Sequence, residues 1–199
     1  MSQAIDVLMT EHRLIEKVLA SLEAYTTELR QGRELERRSA ADFAAFFKGY
    51  ADALHHGKEE DLLFRRMVEL DFPERGGPLA VMLHEHQLGR THVKVIFDVG
   101  VASGPVTGLE QALVVDNAAG FVPLLRTHIL KEDQILYPLA VRFLPEEELQ
   151  GLGERYDDFA RQVGSERVNE LLGLADRLQA AHPFDPARLA PVTLGCASR

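Results

Sequence analysis

The chain has 199 residues, 46% of them hydrophobic, and a formal net charge of −9. This is the composition of a globular protein with enough apolar mass for a core, and its acidic balance excludes nucleic acid and anionic membrane surfaces as partners. A single cysteine, Cys196, excludes an internal disulfide framework. With no signal-like N-terminus and no apolar run of about 18 residues, the expected location is cytoplasmic.

Ile5, Leu8, Met9, His12, Ile15, Leu19 and Leu22 recur at helical spacing and predict a first helix over 3–30, closed by Gly32. A charged loop leads to Ser39, an expected N-cap. The second helix carries Phe43, Phe46, Phe47, Tyr50 and Leu54, and the steps Phe47, Ala51, His55, Glu59 continue that face. Gly57 interrupts it at a cost of about 1 kcal/mol against Ala and marks the close approach of a neighbour. A proline- and glycine-rich loop at 71–78 precedes a third helix over 79–99 with Met82, Leu83, His86, Val93, Ile96 and Phe97. The fourth helix, 109–143, has an inner stripe of Phe121, Leu124, Leu125, His128, Glu132 and Ile135. Gly120 and Pro123 predict a kink or break in it. Pro145 and three glutamates open a fifth helix with Leu149, Leu152, Tyr156 and Phe159 buried. Gly164-Ser165-Glu166 is a break with a new N-cap before a sixth, marked by Val168, Leu171, Leu172, Ala175 and Leu178.

No stretch alternates with the period of a strand. The expected fold is all-α: an up-down-up-down four-helix bundle over 1–144. A helical extension over 145–181 packs on that bundle or at a homodimer interface, and an irregular tail covers 182–199.

The chain repeats itself. His55-His56-Gly57-Lys58-Glu59-Glu60 aligns with His128-Ile129-Leu130-Lys131-Glu132-Asp133, and Glu11-His12 aligns with Glu85-His86. From His12 to His55 is 43 residues, and from His86 to His128 is 42. Each hairpin therefore offers one lone histidine and one His-x-x-x-Glu, whose side chains lie about 6 Å apart along one helix face. The predicted metal ligands are His12, His55, Glu59, His86, His128 and Glu132. Nitrogen and oxygen donors without thiolate suit iron, manganese or zinc. If Glu59 and Glu132 each bridge, two metals would sit about 3.5–4 Å apart. Positions would remain for an oxo or hydroxo bridge and a small exogenous ligand.

His56 lies 100° round an α-helix from His55 and has Ile129 as its counterpart, so it is assigned outside the ligand set. His84 and His92 point off the face. Glu16 and Arg90 occupy matching places four residues after His12 and His86 and are expected to pair with each other. Glu60 and Asp133 read first as solvated charges and second as hydrogen-bond partners of ligands. Phe64, Tyr137, Phe47, Phe121 and Tyr50 read as core.

Over residues ~5–143 this constellation resembles the haemerythrin-like, or HHE cation-binding, family. The resemblance rests on Glu11-His12, His55-His56-x-Lys58-Glu59-Glu60, Glu85-His86-x-x-Gly89-Arg90 and His128-x-x-Lys131-Glu132. It implies a four-helix bundle with two non-haem irons per chain, oxo- or hydroxo-bridged, acting on O2, NO or peroxide or in iron sensing. Oxygen-carrying haemerythrins have His-x-x-x-His on the third helix. Here the second place is Arg90, which sets the chain with the four-histidine branch associated with iron or NO handling and stress. Two other readings stand beside a binding protein: a di-iron enzyme with peroxidase-like, NO-reducing or oxidase activity, and a metal-free helical interaction module. A ferritin-like oxidase is disfavoured, because its motif is Glu-x-x-His.

Overall fold

The computed structural model describes residues 3–189, so Cys196 lies outside the described residues. Among the described residues there are six long helices and no strand. Helix α1 is Gln3–Arg30. Helix α2 is continuous over 37–69. Helix α3 is Pro78–Val101, and α4 is continuous over 108–143. Helices α5, Glu146–Val163, and α6, Ser165–Ala181, follow. Each of the first four packs on the next, and α4 closes the ring on α1. The bundle is the up-down-up-down arrangement that its short loops dictate. Among the described residues, no helix is long and apolar enough to cross a membrane.

Several boundaries differ from expectation for local reasons. Ser39 does not cap α2. The helix begins at Arg37 with Glu36 as the capping residue, and Ser39 is buried inside the first turn. Arg37 reaches the carbonyls of Val99, Gly104 and Pro105 and the carboxylate of Glu110, tying the start of α2 to the α3–α4 loop. Thr107 and Glu110 form a reciprocal capping box that starts α4 one residue early. At the Gly164-Ser165-Glu166 break, Gly164, with φ +105°, makes the turn and is the capping residue, and Ser165 is the first residue of α6. Gly120 and Pro123 do not break α4. Gly120 makes room for the His92 ring, which a Cβ would meet at 2.7 Å. Pro123 is exposed, so water can reach the carbonyl it leaves without a partner.

The two motif-bearing helices are not α-helical throughout. Phe47–His56, Glu59–Phe64 and Glu132–Leu136 are wound as π-helix, with i→i+5 hydrogen bonds and less rotation per residue. This turns Ile135 out of the inner stripe to 42% exposure and seats Leu136 in the core. On α6, Leu172 is also exposed, while Leu171 and Ala175 are buried.

The apolar interior falls into two clusters. One, at the chain-reversal end of α1 and α2, gathers Ile15, Leu19, Leu22, Phe43, Phe46, Phe47, Ile96 and Phe121 with Leu171 and Leu178 of α6. The other gathers Ile5, Leu8, Leu63, Met67, Leu79, Leu136 and Tyr137 with Leu149, Leu152 and Tyr156 of α5. Both C-terminal helices thus bury side chains in the bundle core. Phe159 of α5 meets Gly57, where a Cβ would stand 2.6 Å from the ring; this is the close approach that glycine predicted. In sequence, the repeated His and Glu residues lie between the segments forming the two clusters, on all four bundle helices.

Candidate metal centre

The structure brings all six predicted ligands together. His12, His55, His86 and His128 are at most 2% exposed, and Glu59 and Glu132 are fully buried. One group of potential donors is His12, His55, Glu59 and Glu132; a second is His56, Glu59, His86 and His128. Within each group one donor atom per residue lies within 4.8 Å of the others. Glu59 belongs to both. Glu132 also faces both sides, with Oε2 3.2 Å from His12 Nε2 and Oε1 3.1 Å from His128 Nε2.

The repeat extends to the groups that orient these side chains. His55 Nδ1 donates to Glu11 at 2.9 Å, and His128 Nδ1 donates to Glu85 at 3.0 Å. Lys58 and Lys131 close ion pairs on the same two carboxylates. His12 Nδ1 donates to Asp133 at 2.8 Å, and His86 Nδ1 to Glu60 at 2.6 Å. An ionised carboxylate only accepts, so in the neutral imidazole each of these bonds puts the ring proton on Nδ1 and leaves the Nε2 lone pair for the interior. Glu60 and Asp133 are therefore partners of the imidazoles and not solvated charges. Stacked aromatics repeat too: Tyr137 lies on His12 with centroids 5.5 Å apart, and Phe64 on His86 at 6.2 Å.

Three features break the symmetry. His56 is 8% exposed and stacks on His86, with ring centroids 3.7 Å apart. On α-helical geometry it falls outside the site. The π winding of 47–56 turns it less than 100° from His55 and carries it inward. Its Nδ1 lies 3.4 Å from Asp52 Oδ1, so it is oriented by a carboxylate in the same manner as the others. Arg90 does not pair with Glu16. It bonds Asp52 at 2.7 Å and Glu60 at 2.8 Å, while Glu16 pairs with Arg13 at 3.3 Å. Tyr137, read as core, donates its hydroxyl to Glu59 Oε1 at 2.7 Å; the signal in the sequence was its mismatch with Phe64 across the repeat.

The electrostatics are those of donors without a cation. Burial and the charge of Glu132 push Glu59 well above the usual carboxyl range. Burial would raise Glu132 as well, but the positive charge of His128 and the proximity of His12 and His86 hold it well down. His128 responds in kind: against burial, the Glu132 charge and the hydrogen bond to Glu85 raise it to about 9. Burial and the charge of His12 lower His55 to about 4. Burial opposes ionisation of Asp52 too, yet hydrogen bonds from His56 and Arg90 bring it to about 2.

With the imidazoles neutral and protonated at Nδ1, His55 Nε2, Glu59 Oε2 and both oxygens of Glu132 are buried and make no hydrogen bond. Leaving such atoms unpaired costs roughly 1–3 kcal/mol each, more when charged. A cation held among them would satisfy all four, so the donor set fits a metal.

Searches of curated proteins and of solved structures returned no match. A family model, the haemerythrin HHE cation binding domain, matches residues 3–140. The match spans all four bundle helices up to Ala140 and every residue of the polar cluster. The chain belongs to the haemerythrin HHE cation-binding family.

Proposed function

We propose that this protein holds two metal ions, with iron as the resident metal, and uses them to bind or sense a diatomic gas or peroxide or to handle iron under stress. His12 and His55 serve one ion, and His86 and His128 the other. Glu59 and Glu132 are shared between them. His56 is a fifth imidazole, on the His86–His128 side. The observation that carries this reading is the convergence of four buried, unbonded donor atoms, His55 Nε2, Glu59 Oε2 and both Glu132 oxygens, on one dry interior. Bound iron would supply redox chemistry and open positions for a small ligand. The chain's own residues fix the imidazole tautomers, hold the carboxylates in place and exclude bulk water. A reducing, cytoplasmic setting fits the single cysteine.

Metal analysis with an absorption spectrum of aerobically purified protein tests this. Two irons per chain with oxo-bridged absorption bands are expected, and their loss in the His55→Ala/His128→Ala double variant. A colourless protein that takes up no iron on reconstitution overturns the reading and leaves a metal-free helical module. Turnover of peroxide or NO by the reduced protein would make it an enzyme rather than a sensor or carrier.

A further inference from the structure

A cleft of about 400 Å3 opens between α2, α3 and α4, and its inner end is formed by His56, His86 and His128. Phe47, Val93, Phe97, Phe121, Leu124 and Leu125 make its lining mostly apolar. That volume is in the range of small-molecule sites and far beyond the needs of a diatomic gas. Access is one-sided. His12 and His55 do not line the cleft, and α5 and α6 lie across α1 and α2, with Phe159 against Gly57 and Leu171 against Gly49. The repeat makes two similar half-sites; the C-terminal helices lie over α1 and α2, and this cleft reaches the second half-site.

The cations and carboxylates along the cleft balance in number, but they do not all pair. Arg90 is held by Asp52 and Glu60, Lys94 by Asp98 at 2.6 Å, and Glu85 is engaged with Lys131 and His128. Lys48 is exposed at the mouth and makes no ion pair among the described residues. Its ammonium stands 5.1 Å from the centre of the Phe97 ring, a cation placed over an aromatic wall.

We propose that this cleft binds a small, largely apolar molecule with one anionic end. The anion sits at Lys48, and the apolar body lies between Phe47, Val93, Phe121 and Leu124. The inner tip reaches the His56–His86 stack. Its position beside the metals rests on the metal reading above; the cleft and its unpaired Lys48 do not.

The test uses a matched pair of fluorescent probes, 1-anilinonaphthalene-8-sulfonate and its uncharged analogue N-phenyl-1-naphthylamine, on the full chain loaded with zinc or with iron. One probe per chain is expected, with the sulfonate bound about two- to fivefold tighter, the span of an exposed ion pair. Lys48→Glu should erase that preference, and Leu124→Trp should weaken both probes, with unchanged circular dichroism showing that each variant folds. Equal binding of the two probes, or indifference to both substitutions, overturns the proposal. Iron, but not zinc, should quench the bound probe. If the probes bind as expected but the chain takes up no metal, the metal reading fails and the cleft stands. If iron loads fully and neither probe binds, the cleft fails and the metal reading stands.

Discussion

The imidazole of His56 lies on that of His86, ring centroids 3.7 Å apart and planes 16° from parallel. One ring is on the second helix and the other on the third. The stack brings a nitrogen to the half-site whose third helix offers Arg90 where oxygen-carrying relatives have a second histidine. His56→Phe preserves a flat, buried ring and removes only the donor. Metal affinity of the cluster should fall at least about tenfold, the smaller end of what loss of an outer partner costs. His84→Phe, at an exposed position, should change nothing. Titration against a competing chelator measures both. Unchanged affinity in His56→Phe would remove His56 from the ligand set.

Glu11 and Glu85 perform the same task in the two halves, each binding one histidine Nδ1 and one lysine. Glu11→Gln and Glu85→Gln keep the shape and lose the charge. Each should lower metal affinity by about 10–100-fold, and the two losses should be of similar size because the repeat is structural. A loss confined to one variant would show that the halves are not equivalent in function.

Gly100 and Gly151 are both helical glycines, and replacing them by alanine should have opposite effects. A Cβ at 100 would stand 2.5 Å from the backbone nitrogen of Ala41, which has no flexible end to move aside. Among the described residues, nothing beyond its own helix backbone and chain neighbours lies within 4 Å of a Cβ at 151. Alanine gains about 1 kcal/mol of helix propensity at either place. At 100 the overpacking penalty of about 1–3 kcal/mol should exceed it, so Gly100→Ala destabilises and Gly151→Ala stabilises. Urea unfolding of the two variants checks the signs.

Arg66 of α2 grips Glu148 of α5 through two hydrogen bonds, 2.8 and 2.5 Å, at the entry to the extension. The Arg66 hydrogen bonds hold the Glu148 carboxyl below its ordinary value. A depressed carboxyl contributes stability above its unfolded pKa, about 4.3, and loses it as pH falls through the folded value. Wild type should therefore be more stable than Glu148→Gln at pH 7, and the gap should close in acid. Unfolding midpoints of the pair at the two pH values test this; a gap that persists in acid would mean that the contact is not ionic.

Much of the fold was legible because amphipathic periodicity and loop chemistry are local. The first helix was predicted with its ends, and the other five with errors of a few residues. Those errors fell where a long-range contact outweighed a local signal, as when Arg37 anchored α2 two residues before the serine that looked like its cap.

The sequence by itself determined that this is an all-helical bundle with two copies of one metal-binding design, because a repeat of His and Glu at fixed spacing constrains both the helix face and the pairing of helices. Only the tertiary structure decided which groups complete that design. Glu11, Glu85, Glu60 and Asp133 reach histidines on other helices, so nothing in their own segments reveals the bond. His56 and Ile135 changed sides because their segments are wound as π-helix, which rotates less per residue than an α-helix. Tyr137 became a donor to Glu59 because its hydroxyl reaches from α4 across the bundle interior to α2. The cleft exists only where three helices leave a gap, at a side that α5 and α6 do not cover.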